Sequence, residues 1–325
     1  MSDLSVVSAA EEDLPFRPAA SVTRGDRVFR VLATMCASVS LIIVGSTLAF
    51  LVKEAWPALR RTGIVHFLTA SEWSPQQSHF GVFGLLVGTI VIAFIAMVVA
   101  LPLALAMALF INEYAPPRLR RALTSVIDLL AALPSLLFGM WGFFALQGRM
   151  VPVARWFADH LSAIPAFRLT RVDARLAQSS FVAGVVVAIM ILPVITSVSR
   201  DVMAQVPREQ CEGALALGGS RWGMIRDVVL PFGRSGIVGA TLLGFGRALG
   251  ETIAVALIIS LVFKANWHVL EAGGSSIAAL IATRFGEAGA IDRSGLVAAG
   301  LALFLLTLGV NLLARRIVKR AGIAR

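Results

Sequence analysis

Of 325 residues, 58% are apolar and 15% charged, with a mean hydropathy of +0.83, whereas a soluble domain holds about 45–50% apolar and about 25% charged residues. That balance excludes a soluble enzyme, a disordered chain and a disulfide-stapled secreted module, and it points to an all-α polytopic membrane protein. The net charge of +10, from 29 Lys and Arg against 19 Asp and Glu, fits cationic cytoplasmic loops better than a nucleic-acid surface.

Residues 1–30 read as a polar cytoplasmic tail and residues 31–325 as one transmembrane domain. The first apolar run starts at Val31 and is long enough to span, unlike the core of a signal peptide. Six runs reach the length of about 20 residues that a crossing needs: 31–52, 82–111, 122–146, 176–199, 236–263 and 294–313. Pro102 predicts a kink or strong tilt in the second. Pro134 and Pro193 interrupt the third and fourth, which a bundle tolerates because neighbouring helices satisfy the freed carbonyls.

Six crossings leave both termini on one side. With the termini inside, the inner segments, including the basic end at about 314–325, hold 17 Lys and Arg against 11 in outer segments of equal total length. The termini are therefore expected in the cytoplasm. Arg149, Arg155, Arg168, Arg171 and Arg175 crowd the outer loop 147–175, either as a solvated face or as an attraction for an anionic ligand or partner. Cys36 and Cys211 lie far apart, and His66, His79, His160 and His268 are scattered without metal-ligand spacing. No nucleophile, base and orienting group cluster, so neither an enzyme nor a bound cofactor or metal is expected.

The inner loop, about 200–235, is organised. Pro207 suits a first helical position, and Ala214, Leu215 and Leu217 supply an apolar side. Gly218 and Gly219 end that helix, Ser220 caps a second one running to Leu230, and Pro231 is expected to stop it. Such a helix–turn–helix could lie on the inner leaflet or seat in a groove on a soluble partner; a DNA-binding role would need a basic recognition face that it lacks. Its residues decide. Glu212, Gly213 and Ala214, then Gly218, then Leu230 and Pro231 resemble the EAA motif of ABC importer permeases, in spacing throughout and in residue type at every position but the second. Gly213 replaces the usual alanine, which weakens a helix by about 1 kcal/mol at most.

That resemblance implies the type I ABC importer permease fold, with the loop docking into ATPase subunits as a coupling helix. The chain itself lacks a Walker A loop, because none of Lys53, Lys264 and Lys319 follows a glycine. ATP and Mg²⁺ would therefore be used by a separate ATPase.

The fifth run places Arg247 and Glu251 inside an apolar stretch, where each would cost about 2.5–3.5 kcal/mol or more if it faced lipid. At i and i+4 on one helix they are expected to share a face and pair. The pair could be structural, or Arg247 could offer its donors to an oxyanion in transit while Glu251 holds the guanidinium until the ligand arrives. The stretch GRALGETIAV, with LPSLLFGMWGFF at 133–144 and ALFINEYAP at 108–116, resembles the permease subunits of phosphate ABC importers. Of the two permease types in that family, Ile253, Ala254 and Val255 after Gly250-Glu251-Thr252 favour the one without proline there. The resemblance implies ATP-driven phosphate uptake across a bacterial inner membrane, by a complex with a second permease subunit, two ATPase subunits and an external phosphate-binding protein. Thr252, Ser135 and Thr241 are further candidates for the path. A sulfate or molybdate permease shares the coupling loop but not the G-R-A-x-G-E-T stretch, and a channel would have no use for the loop.

Overall fold

The computed structural model describes residues 24–77, 79–170 and 175–320; most of the expected tail, and Arg171, lie outside the described residues. The chain divides into two units, residues 1–49 and 50–325. Helix α1, Arg24–Thr62, begins in the first and ends in the second. Up to Ala49 it is exposed on nearly every side, Phe29, Leu41 and Ile42 included, and a helix apolar all round is one whose solvent is lipid. The hydroxyls of Thr34, Ser38, Ser40 and Thr47 donate to the carbonyls of Arg30, Thr34, Cys36 and Ile43, four residues back, which satisfies these donors within the helix itself.

In the second unit the order is α2 (Ile64–Thr69), a two-stranded antiparallel ribbon of β1 (Trp73–Ser74) and β2 (His79–Phe80), α3 (Phe83–Leu109), α4 (Pro117–Ala132), α5 (Ser135–Trp141), α6 (Gln147–His160), α7 (Ser180–Met203), α8 (Arg208–Ala216), α9 (Arg221–Met224), α10 (Leu230–Leu249), α11 (Ile253–Ile258), α12 (Ile277–Arg284) and α13 (Ala290–Arg320). Single π-helical turns join α3 to Tyr114, α5 to α6 and α9 to α10. Six helices among the described residues are long and apolar enough to cross a membrane: Arg24–Thr62, Phe83–Tyr114, Ser135–His160, Ser180–Met203, Arg221–Leu249 and Ala290–Arg316. Helix α7 is the central column, packed against α3, α10, α4, α11 and α5, and Ile92, Val187, Ile191 and Ile195 are the buried heart of that contact.

Two of the expected spans lie elsewhere. The third does not run from 122 to 146: Leu133, held by the following proline, is extended (φ −66°, ψ 140°) and ends α4 at Ala132. Residues 117–132 form a separate amphipathic helix, and the crossing begins at Ser135 and continues to His160, into the stretch read as an outer loop. The fifth does not run from 236 to 263 but ends at Leu249. Gly244, Gly246 and Gly250 are poor helix formers, and beyond Ile258 the chain runs without regular structure to Ser276.

Irregular backbone in a bilayer must be covered by protein. Here α3 covers it: a Cβ at Gly84 would overlap the Phe263 carbonyl and one at Gly88 the Ser275 carbonyl, so only glycine admits the strand-like segment. Thr89 Oγ1 accepts from the Ile277 amide at 3.1 Å, and buried Glu271 accepts from the amide and hydroxyl of Thr170.

Candidate functional site

The loop between the fourth and fifth crossings forms an elbow built from α8 and its turn. Helix α8 follows Pro207, which is its N-cap rather than its first helical residue. Gly218 takes φ +85°; its amide donates to Leu215 O (3.0 Å) and that of Gly219 to Ala214 O (3.2 Å), which is a complete Schellman ending. Ser220 Oγ then accepts from the Gly223 amide at 3.1 Å and starts α9. Pro231 does not stop the second helix. A single π-turn, Ile225–Val229, lies one residue before it, and the helix continues from α9 through it into the fifth span.

On one side of α8, Cys211 and Ala214 pack against a small cluster of Ala108, Met203, Val206, Met224, Ile225 and Val229. Partial burial, then the carboxylates of Glu113 and Glu212, push the Cys211 thiol above its usual range. The other side presents Glu212, Gly213, Leu215 and Leu217, the last 92% exposed. A Cβ at Gly213 would meet nothing within 4 Å. Of the residues singled out for coupling, Glu212, Gly213 and Gly218 thus face outward, Ala214 is partly buried against the cluster, Leu230 also packs on it, and Pro231 is exposed at the root of the span.

The elbow's base is tied to three helices by a network that the sequence reading missed. Buried Arg200, near the end of α7, bonds Asp128 of α4 at 3.3 Å and Asp201 at 2.8 Å. Its carbonyl accepts from Asn112 Nδ2 at 2.8 Å, and Ser197 Oγ donates to Asp128 at 2.9 Å. At the end of α3, Arg120 donates to the carbonyls of Ile111 and Asn112 and Arg221 to that of Glu113, satisfying a helix C-terminus with cations. The signal available was Asp128 in an apolar run, which demands a cation. Arg200 is buried while both aspartates keep access to water, with side chains 47% and 62% exposed. The double variant Asp128→Asn/Asp201→Asn, which strands the guanidinium, should therefore cost more stability than Arg200→Met, about 3 kcal/mol against about 1. Unfolding of the purified complex in detergent measures both.

In the fifth span, Arg247 sits in the last turn of α10, half-buried, and makes no ion pair or hydrogen bond among the described residues. The expected pairing with Glu251 is absent, because the helix ends between them. Glu251, 6% exposed, instead accepts from the Ala254 amide at 3.2 Å and so satisfies a donor at the start of α11. Thr252 Oγ1 donates back to Gly250 O at 3.0 Å. Arg247, Glu251 and Thr252 are thus brought together at a break in the helix, held where α11 packs on α5 through Gly139 and Ala254.

Thr241 is not part of that group. Six residues before Arg247, it points about 120° away at 3.6 residues per turn, and its hydroxyl donates to Ile237 O. Ser135 begins α5, half-buried, with no hydrogen bond to the others among the described residues.

A multi-pass α-helical bundle with an exposed elbow between its fourth and fifth crossings is the architecture of an ABC importer permease. The fold agrees with that of a bacterial alginate ABC transporter, with a TM-score of 0.60 at 16% identity over 91% of this chain and 96% of that one. Residues 100–323 match the binding-protein-dependent transport system inner membrane component family, and the chain belongs to it. It is 40% identical over 299 residues, 90% of this chain and 92% of the other, to the phosphate transport system permease protein PstC 2 of Mycobacterium tuberculosis (strain ATCC 25618 / H37Rv). To the phosphate transport system permease protein PstC of Xylella fastidiosa (strain Temecula1 / ATCC 700964) it is 38% identical over 298 residues, 91% of each. It is a transport component of a multi-subunit ABC transporter rather than an enzyme.

Proposed function

We propose that this chain is a permease subunit of an ATP-driven importer of inorganic phosphate in a bacterial inner membrane, with both termini cytoplasmic. A second, PstA-like permease completes the path, two PstB-like ATPases hydrolyse Mg-ATP beneath the elbow, and a PstS-like protein delivers phosphate outside. The observation that carries this reading is Arg247: a guanidinium inside a membrane span, with no ion pair or hydrogen bond among the described residues, is suited to an oxyanion and is a barrier to a cation. Phosphate among the oxyanions follows from the identity over nine-tenths of the chain to phosphate permeases.

In this reading Arg247 and Thr252 line the path, Glu251 fixes the break that presents them, and α8 passes ATPase closure across its glycine turn to the continuous helix that runs from α9 into α10. The chain binds no cofactor of its own. A tagged chain should bring down a second permease and an ATPase, and the complex in proteoliposomes should accumulate radiolabelled phosphate only with ATP and the binding protein. Accumulation of sulfate or molybdate instead, or flux by the chain alone, would overturn it.

A further inference from the structure

At the end of the third span remote from the elbow, a groove of about 500 Å³ lies between one face of that helix and residues 175–178. Its floor is apolar, made by Phe143, Val151 and Leu176. Its polar groups divide into two kinds. Gln147 Nε2 donates to Ala177 O at 3.0 Å and Gln178 Oε1 accepts from Ser260 at 2.7 Å, so one end of each amide is engaged within the protein. Arg155 and Arg175 are exposed at the groove and make no ion pair or hydrogen bond among the described residues. A ligand that fits must therefore be apolar along its length and anionic at one end.

The dimensions point to a lipid. From Phe143 to Arg155 the helix rises about 18 Å at 1.5 Å per residue, close to one leaflet of a hydrocarbon core about 30 Å thick. The arginine end also carries Trp156, 53% exposed and stacked on His160, and exposed tryptophan is characteristic of the membrane–water boundary. The apolar floor thus runs from near the bilayer centre up to two guanidiniums at head-group level. Guanidinium groups match phosphate oxygens with two parallel donors. A zwitterionic lipid brings its own ammonium to its phosphate, whereas an anionic phospholipid brings none.

We infer that this groove is a binding site for one anionic phospholipid, its acyl chain along Phe143, Val151 and Leu176 and its phosphodiester between Arg155 and Arg175. The ligand class is independent of the transported ion and of the orientation proposed above.

The test is native mass spectrometry of the intact complex titrated with phosphatidylglycerol or phosphatidylcholine of identical chains. The unaltered complex should retain one phosphatidylglycerol at least tenfold more strongly than phosphatidylcholine. Arg155→Gln/Arg175→Gln should remove that preference, as should Val151→Trp, which fills the floor and keeps both charges; Arg149→Gln, outside the groove, should not. If the double variant fails to assemble, the single Arg155→Gln and Arg175→Gln variants must each lower the preference severalfold. Equal retention of the two lipids, insensitivity to Val151→Trp, or displacement of phosphatidylglycerol by millimolar inorganic phosphate would overturn the lipid site, the last by making it a site for free phosphate. Phosphate uptake by these variants tests the transport reading separately.

Discussion

Arg247→Gln should abolish phosphate uptake while the complex still assembles. Two charge-assisted hydrogen bonds to an oxyanion contribute about 3 kcal/mol or more together, so losing them lowers occupancy of the path more than hundredfold at about 1.4 kcal/mol per factor of ten. Because the guanidinium makes no ion pair or hydrogen bond among the described residues, expression and co-purification should be unchanged. Near-normal uptake by a normally expressed variant would end the direct role. Glu251 separates the two readings of this region. Were it an ion-pair partner, Glu251→Gln and Glu251→Leu would disturb Arg247 alike. Since its carboxylate accepts from the Ala254 amide, Glu251→Gln keeps an acceptor there and should assemble normally, whereas Glu251→Leu orphans a buried donor and should lower the yield of complex, at a cost of about 1–3 kcal/mol.

The second large effect is expected at the elbow's turn. Gly218 holds φ +85°, a region that costs a β-branched residue about 1–2 kcal/mol and that asparagine tolerates better. Gly218→Val should unwind the Schellman ending and misdirect α8, so that the ATPase subunits still hydrolyse ATP but uptake per ATP falls at least tenfold. Gly218→Asn should restore most of it. Glu212→Arg, at an exposed position with no ion pair or hydrogen bond among the described residues, should give the same uncoupling with unchanged folding stability. Measured ratios of phosphate moved to ATP hydrolysed decide: an unchanged ratio in both Gly218→Val and Glu212→Arg would detach the elbow from coupling.

Much of this protein was written in local pattern. Length and hydropathy dictated six crossings because a bilayer demands about 20 apolar residues per helix regardless of what surrounds it. The elbow was equally legible: glycine at 218 and serine at 220 act through their own backbone geometry and short hydrogen bonds, which need no tertiary partner.

What the sequence could not settle were the places where a local tendency met a competing tertiary one. Pro134 looked tolerable inside a span, yet it ended α4, because the bundle places α4 beside α7, where Asp128 finds Arg200, rather than across the membrane. Pro231 looked like a stop, yet a single π-turn carried the helix past it. Arg247 and Glu251 stood four apart and implied a pair, but that inference required a continuous helix. The helix instead breaks at Gly250, and the new helix after the break is held by the close approach of Ala254 to Gly139 of α5, more than 100 residues earlier. Hydrophobic periodicity reports how much surface must leave water; only packing decides which backbone can stop being helical without stranding its hydrogen-bonding groups in lipid.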